Sequence, residues 1–246
     1  MNTAPTTAIP RREQNRFDGV QAGAVSRRGL RSLNADAVAT YTDASVGRTA
    51  FVVADGVGDH LLAARAARAA AGVAAGAGAR DCAVAGILAA QQELLREFPQ
   101  PAADAVLVVA VLPGADQPDG PCDIAWVGDC RAYRWNGRVL HQITTDHTVA
   151  EYLHAHGLRP TPRMGHLVTT SARTVKPGEV GHAVTGSSRG RLLLCTDGVH
   201  KRLGIAPIKE FLATTTTPGA TAKALTDVAL RTGGTDNATA LIVDRS

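Results

Sequence analysis

Five acidic motifs stand out in this chain of 246 residues: Asn34-Ala35-Asp36, Ala54-Asp55-Gly56, Gly128-Asp129, Thr196-Asp197-Gly198 and Thr235-Asp236-Asn237. Carboxylate oxygens are hard ligands, and a cluster of them without His or Cys suits Mg²⁺ or Mn²⁺ better than zinc. Asp55, Asp129 and Asp197 follow the apolar, β-rich runs Phe51-Val52-Val53, Ile124-Ala125-Trp126-Val127 and Leu192-Leu193-Leu194-Cys195. Each of these acids is therefore expected where a strand stops and the backbone turns. Strands that converge would gather them into one carboxylate-walled metal site.

The elements that must position these acids follow from periodicity and turn residues. Alternation over 21–26 and 37–42 suggests two strands joined by an Arg-rich loop carrying Arg31 and Asp36. A buried strand is expected over 51–54, then an Ala-rich helix over 60–79 whose end Gly72, Gly76 and Gly78 should weaken. A second helix is expected over 84–98, stopped by Pro99, followed by strands over 106–112 and 122–127. The segment 132–142 suggests a hairpin turning at Asn136-Gly137. A helix over 146–156 precedes a Pro-interrupted surface excursion over 157–165. The last third suggests strands over 180–185, 191–196 and 238–243, and a helix over 221–232 that ends at Gly233-Gly234. Periodicity alone gives a mixed α/β chain of many strands.

Asp-Gly is ordinary turn chemistry, so the order of the motifs carries more than any one of them. Arg31-Ser32-Leu33-Asn34-Ala35-Asp36, Val53-Ala54-Asp55-Gly56-Val57-Gly58, Val127-Gly128-Asp129-Cys130-Arg131, Thr145-Asp146-His147, Cys195-Thr196-Asp197-Gly198 and Gly234-Thr235-Asp236-Asn237 together resemble the bacterial PP2C (PPM) metal-dependent serine/threonine protein phosphatases. The resemblance runs from about residue 23 to 244. It implies an α+β fold, a four-layer α-β-β-α sandwich with two central, mostly antiparallel sheets and the metals at one end of them. It also implies hydrolysis of phosphoserine or phosphothreonine by a metal-bridging hydroxide, with two Mn²⁺ or Mg²⁺ ions. Strand, Gly56-x-Gly58, helix also imitates a dinucleotide-binding turn, but Leu61 stands where the third glycine is required.

By the same resemblance, Asp55 bridges both metals, the Gly56 carbonyl adds a ligand, and Asp197 and Asp236 hold the first metal. Asp36 reaches the site directly or through water, Asn237 supports the geometry from behind, and Asp129 helps to bind a third, weaker ion. Arg31 corresponds to the phosphate-binding arginine, whose fork can hold two phosphate oxygens. Asp146-His147 falls on a stretch that is usually structural, and the excursion near 160–166 on the flap beside the cleft. The chain departs from the pattern at Ala35, where the family carries a glutamate that contacts the second metal through water. Restoring a glutamate there is expected to tighten that metal. Asp59 also stands where a second glycine is usual. Such departures leave a second reading open, a PP2C-like pseudophosphatase that acts as a binding or regulatory protein.

Composition narrows the remaining classes. An apolar share of 45% suffices for a substantial core, and no stretch is long and apolar enough to cross a bilayer. Residues 1–31 carry six arginines against Glu13 and Asp18, which accounts for the whole formal net charge of +4. A basic, disordered tail over 1–20 and a single domain over 21–246 are expected, with no nucleic-acid partner. The amino terminus lacks the layout of a secretory signal, and Cys82, Cys122, Cys130 and Cys195 form no disulfide pattern; both point to the cytoplasm. The expected partners are phosphorylated proteins, among them targets of Hanks-type Ser/Thr kinases, acted on by a monomer.

Overall fold

The computed structural model of the chain describes residues 16–17, 19–114, 116–214 and 216–246. Its strands form two sheets, one in the order β1-β2-β11-β10-β7-β8 and one in the order β3-β4-β5-β6-β9. In the first sheet β1 is Arg16–Phe17, β2 Val20–Arg27, β7 Arg131–Trp135, β8 Leu140–Gln142, β10 Gly190–Cys195 and β11 Ala238–Arg245. In the second, β3 is Asp36–Asp43, β4 Arg48–Gly56, β5 Ala105–Leu112, β6 Asp123–Val127 and β9 Gly181–Val184. Every pairing within these sheets is antiparallel.

Alternation of side chains along the strands builds four layers. Phe51 and Val53 of β4, Val106 and Val108 of β5, and Ile124 of β6 face Leu192 and Leu194 of β10 and Leu241 and Val243 of β11, forming the core between the sheets. The opposite face of the second sheet, with Ala50, Val52, Ala54, Leu107 and Val109, packs under helices α1 (Leu61–Arg80) and α2 (Ala83–Glu97). The outer face of the first sheet, with Leu193, Cys195, Ala240 and Ile242, packs under α4 (Asp197–Leu203), α5 (Ile205–Ala213) and α6 (Pro218–Arg231). A short α3 (Val149–Ala155) stands apart from these layers, near a 3₁₀ turn at Pro162–His166. Full burial of side chains such as Phe51 and Ile124 contributes about 1.5–3 kcal/mol each.

Several elements differ from expectation, each for a local reason. The buried strand extends from Arg48 to Gly56, and Asp36 is the first residue of β3 instead of a loop residue. Helix α1 continues through Gly72, Gly76 and Gly78, because its alanines and Gly78 lie against Ala50 and Val109 of the sheet, and that packing outweighs the low propensity of glycine. The helix expected over 146–156 starts only at Val149, where the Thr148 hydroxyl caps it, while Asp146 is held by Arg131 in a two-pronged ion pair. Helices α4 and α5 were not legible from periodicity. Of the expected tail, Arg16–Phe17 pairs with β2, while residues 1–15 and 18 lie outside the described residues. Among the described residues no helix is long and apolar enough to cross a membrane.

Candidate functional site

Three strand ends and one strand start deliver the acids to a common cleft. Asp55 is the penultimate residue of β4 and lies in register with Asp36, which opens β3 on the neighbouring strand. Asp129 follows β6 after a turn at Gly128, whose φ of 83° and position against Val106, 2.1 Å from any added Cβ, admit only glycine. Asp197 follows β10 and is the first residue of α4, where a carboxylate complements the helix dipole. Asp236 lies two residues before the start of β11. A Cβ on Gly198 would meet the Asn237 carbonyl oxygen at 1.9 Å, so the glycine of Thr196-Asp197-Gly198 lets α4 close onto the start of β11 and brings Asp197 beside Asp236.

The cleft is lined by Arg31, Asp55, Gly56, Asp129, Asp197, Asp236 and Asn237, and by Val57, Gly58, Asp59 and Val106. His166 and Val168 add a wall from the Pro-containing excursion. Six of the seven residues expected from sequence to bind metal or phosphate therefore share one cleft, with Asn237 beside them. The seventh, Asp36, lies outside that lining, buried and in register with Asp55. Its Oδ2 accepts hydrogen bonds from the Thr239 hydroxyl at 2.6 Å and the Thr196 hydroxyl at 3.0 Å, while its buried Oδ1 has no partner among the described residues. Asn237 ties the Arg31 loop in place: its Oδ1 accepts from the Ala35 amide, and its Nδ2 donates to the carbonyls of Arg28 and Leu33. Asp59 holds the same loop from the other side, accepting from the Ser32 amide and hydroxyl.

The electrostatics record crowded negative charge. Burial pushes the Asp36 carboxyl up to about 7, against the lowering effect of the Thr239 and Thr196 hydroxyls, and the charges of Asp197 and Asp236 add to the rise. Burial, then the charges of Asp36, Asp197, Asp129 and Asp236, holds Asp55 well above the usual carboxylate range. Asp197 is also raised by burial, with Lys201 pulling the other way. Two cations partly balance the acids. The Arg31 Nη2 donates to Asp236 Oδ2 at 2.7 Å, which raises the arginine further. The Lys201 ammonium donates to Asp129 Oδ2 at 2.6 Å and to Asp197 Oδ2 at 2.9 Å, and although burial opposes its charge, the two acids keep it above the ordinary lysine range.

Lys201 and His166 are the residues that sequence reasoning missed. Lys201 stands four residues after Asp197, the spacing that puts both on one helix face, but without α4 that spacing carried no meaning. His166 reaches within 3.5 Å of Lys201 Nζ and 3.7 Å of Asp197 Oδ2. Ala35 is 2% exposed and packs with Ala63 and Ala64 of α1, so a glutamate here would have to displace that apolar contact before its carboxylate could extend towards the cleft. Asp146, by contrast, has the structural setting expected of it, and Cys130 is a buried thiol near the Val106 carbonyl, pushed up by burial.

The donor set fits a hard divalent ion: five carboxylates meet here, three of them raised, and one buried oxygen of Asp36 has no partner. Among the described residues no group of three acidic, histidine or cysteine side chains is set to hold an ion as the side chains stand. Arg31 and Lys201 occupy oxygens of three of the acids in that arrangement.

An antiparallel double-sheet sandwich flanked by helices is the fold of the bacterial PP2C-type serine/threonine phosphatases, and this chain has that fold. A serine/threonine phosphatase of S. agalactiae superposes with a TM-score of 0.79 at 21% identity, over 92% of this chain and 100% of that one. PppA of Pseudomonas aeruginosa, described as a key regulatory component of T6SS, gives 0.74 at 26% identity over 92% and 98%. The catalytic domain of the phosphatase PstP, in complex with two manganese ions, gives 0.71 at 27% identity over 92% and 97%. No family model matches the sequence, and no curated protein matches it by sequence.

Proposed function

We propose that the protein is a Mn²⁺- or Mg²⁺-dependent phosphatase that hydrolyses phosphoserine and phosphothreonine in proteins. The observation that carries this reading is the convergence of Asp55, Asp129, Asp197 and Asp236 with Arg31 in one cleft, above the buried Asp36. The fold adds weight, since its solved neighbours are serine/threonine phosphatases and one of them holds two manganese ions. Asp55, the Gly56 carbonyl, Asp197, Asp236 and Asp36 would hold two ions, which when bound supply Lewis acidity for activating water and for neutralising phosphoryl oxygens.

The chain's own residues do the rest. Arg31 is paired with Asp236, and were that acid to hold an ion the guanidinium would be available to take two phosphate oxygens at once. Asn237 and Asp59 keep that guanidinium at the cleft rim by fixing the loop on both sides. Thr196 and Thr239 orient Asp36 through one oxygen and leave the other free. His166 and Val168 line the cleft from the segment that follows the prolines, and discrimination between substrates, including targets of Hanks-type kinases, is assigned to that segment.

A second reading, a phosphoprotein-binding chain without turnover, draws on Ala35 and on the ion pairs that already engage Asp129, Asp197 and Asp236. Phosphate release from a phosphothreonine peptide separates the two. Turnover that EDTA abolishes and Mn²⁺ restores is expected. A folded chain that binds the peptide and releases no phosphate would establish the second reading instead.

A further inference from the structure

The Lys201 ammonium lies between two carboxylates of the acidic cleft that come from different elements. Asp129 follows β6 and is 5% exposed; Asp197 begins α4, one turn before Lys201 itself. The distances of 2.6 and 2.9 Å are those of charge-assisted hydrogen bonds to both acids. The seat is fixed from behind as well. Gly128 locks the turn that carries Asp129, and the buried His200 directs its Nε2–H to the Asp129 carbonyl at 2.9 Å. Two carboxylates converging on one point at such distances define a cation seat, and here the cation is part of the chain.

We propose that Lys201 is a resident cation that fills the Asp129–Asp197 seat, so that the protein binds two divalent ions and excludes a third. The inference rests on the metal-dependent reading above. It replaces the expectation that Asp129 holds a weak third ion: a divalent cation at Asp129 would have to displace an ammonium that is tethered one helical turn away and paired on two sides. A tethered cation is present at a high effective concentration whatever the free metal concentration. Removing only its charge should open the seat, because Asp129 and Asp197 stay in place and are left facing each other without a cation.

The test counts Mn²⁺ bound per chain by electron paramagnetic resonance of free Mn²⁺, and by calorimetric titration, on metal-stripped full-length protein. The wild type should bind two ions. Lys201→Met, which keeps the length of the stem and removes the charge, should bind a third. Asp129→Asn should still bind two, and it carries the test if Lys201→Met does not fold by circular dichroism. A Mn²⁺-induced rise in melting temperature larger in Lys201→Met than in wild type should accompany the third ion. Three ions in the wild type, an unchanged count in folded Lys201→Met, or loss of one ion in Asp129→Asn would overturn the proposal while leaving the metal reading intact. A wild type that binds no Mn²⁺ would overturn the metal reading and this inference with it.

Discussion

Replacing Asp36 by asparagine isolates the cost of the acidic cluster in the metal-free protein. The Asp36 carboxyl is raised from 3.8 to about 7 in the folded chain, chiefly by burial. A folded-state value above the unfolded one means that the native state binds more protons between these limits, so stability falls as pH rises from about 4 to about 7. Above that window the carboxylate is charged in both states, and the shift corresponds to about 4 kcal/mol of lost stability. Asparagine keeps an oxygen for the Thr196 and Thr239 hydroxyls but places an amide nitrogen where Oδ1 now has no partner, which costs about 1–3 kcal/mol. Asp36→Asn in EDTA at pH 8 should therefore be more stable than wild type by about 2 kcal/mol, with the gap closing towards pH 5. Urea unfolding across this pH range measures it. Mn²⁺ should reverse the order, because saturation at about a hundredfold its dissociation constant adds about 3 kcal/mol to a chain with the site intact. A variant less stable than wild type at pH 8 in EDTA would show that Asp36 is not an uncompensated charge, and the reasoning from its orphaned oxygen would fail.

Arg31→Ala should raise KM for a phosphothreonine peptide roughly ten- to hundredfold, the worth of a lost charge-assisted contact, with a smaller effect on kcat; an unchanged KM would move phosphate capture to another group. Ala35→Glu should lower stability by about 2 kcal/mol or more, since it overpacks and charges the pocket formed with Ala63 and Ala64. A variant as stable as wild type that binds Mn²⁺ more tightly would show that the side chain finds a way into the cleft.

Local periodicity supplied the individual strands and helices, whereas the four layers followed from the resemblance that the ordered acidic motifs carry. Val52 and Val53 already announce two opposite faces, and the structure sends one to α1 and the other to the first sheet. The acids were legible for a related reason: Asp55, Asp129 and Asp197 each terminate an apolar run, and strand ends in a sandwich gather at its edge. What sequence could not show depended on contacts between distant segments. Asp197 stands at the start of a seven-residue helix too short to have a period of its own, so the helical partnership of Asp197 and Lys201 stayed hidden. The setting of Ala35 stayed hidden as well, because its packing against Ala63 and Ala64 joins segments distant in sequence. The Arg31–Asp236 pair joins residues more than two hundred positions apart, which no local pattern encodes.

The most direct test of the central claim compares wild type and Asp55→Asn for hydrolysis of p-nitrophenyl phosphate and a phosphothreonine peptide across a Mn²⁺ and Mg²⁺ titration, with EDTA controls and circular dichroism of both proteins. The account predicts metal-dependent turnover in the wild type and its near-complete loss in a folded Asp55→Asn, because that substitution removes a ligand charge from the centre of the cluster. Wild-type-like turnover in folded Asp55→Asn, or turnover that persists in EDTA, would contradict it.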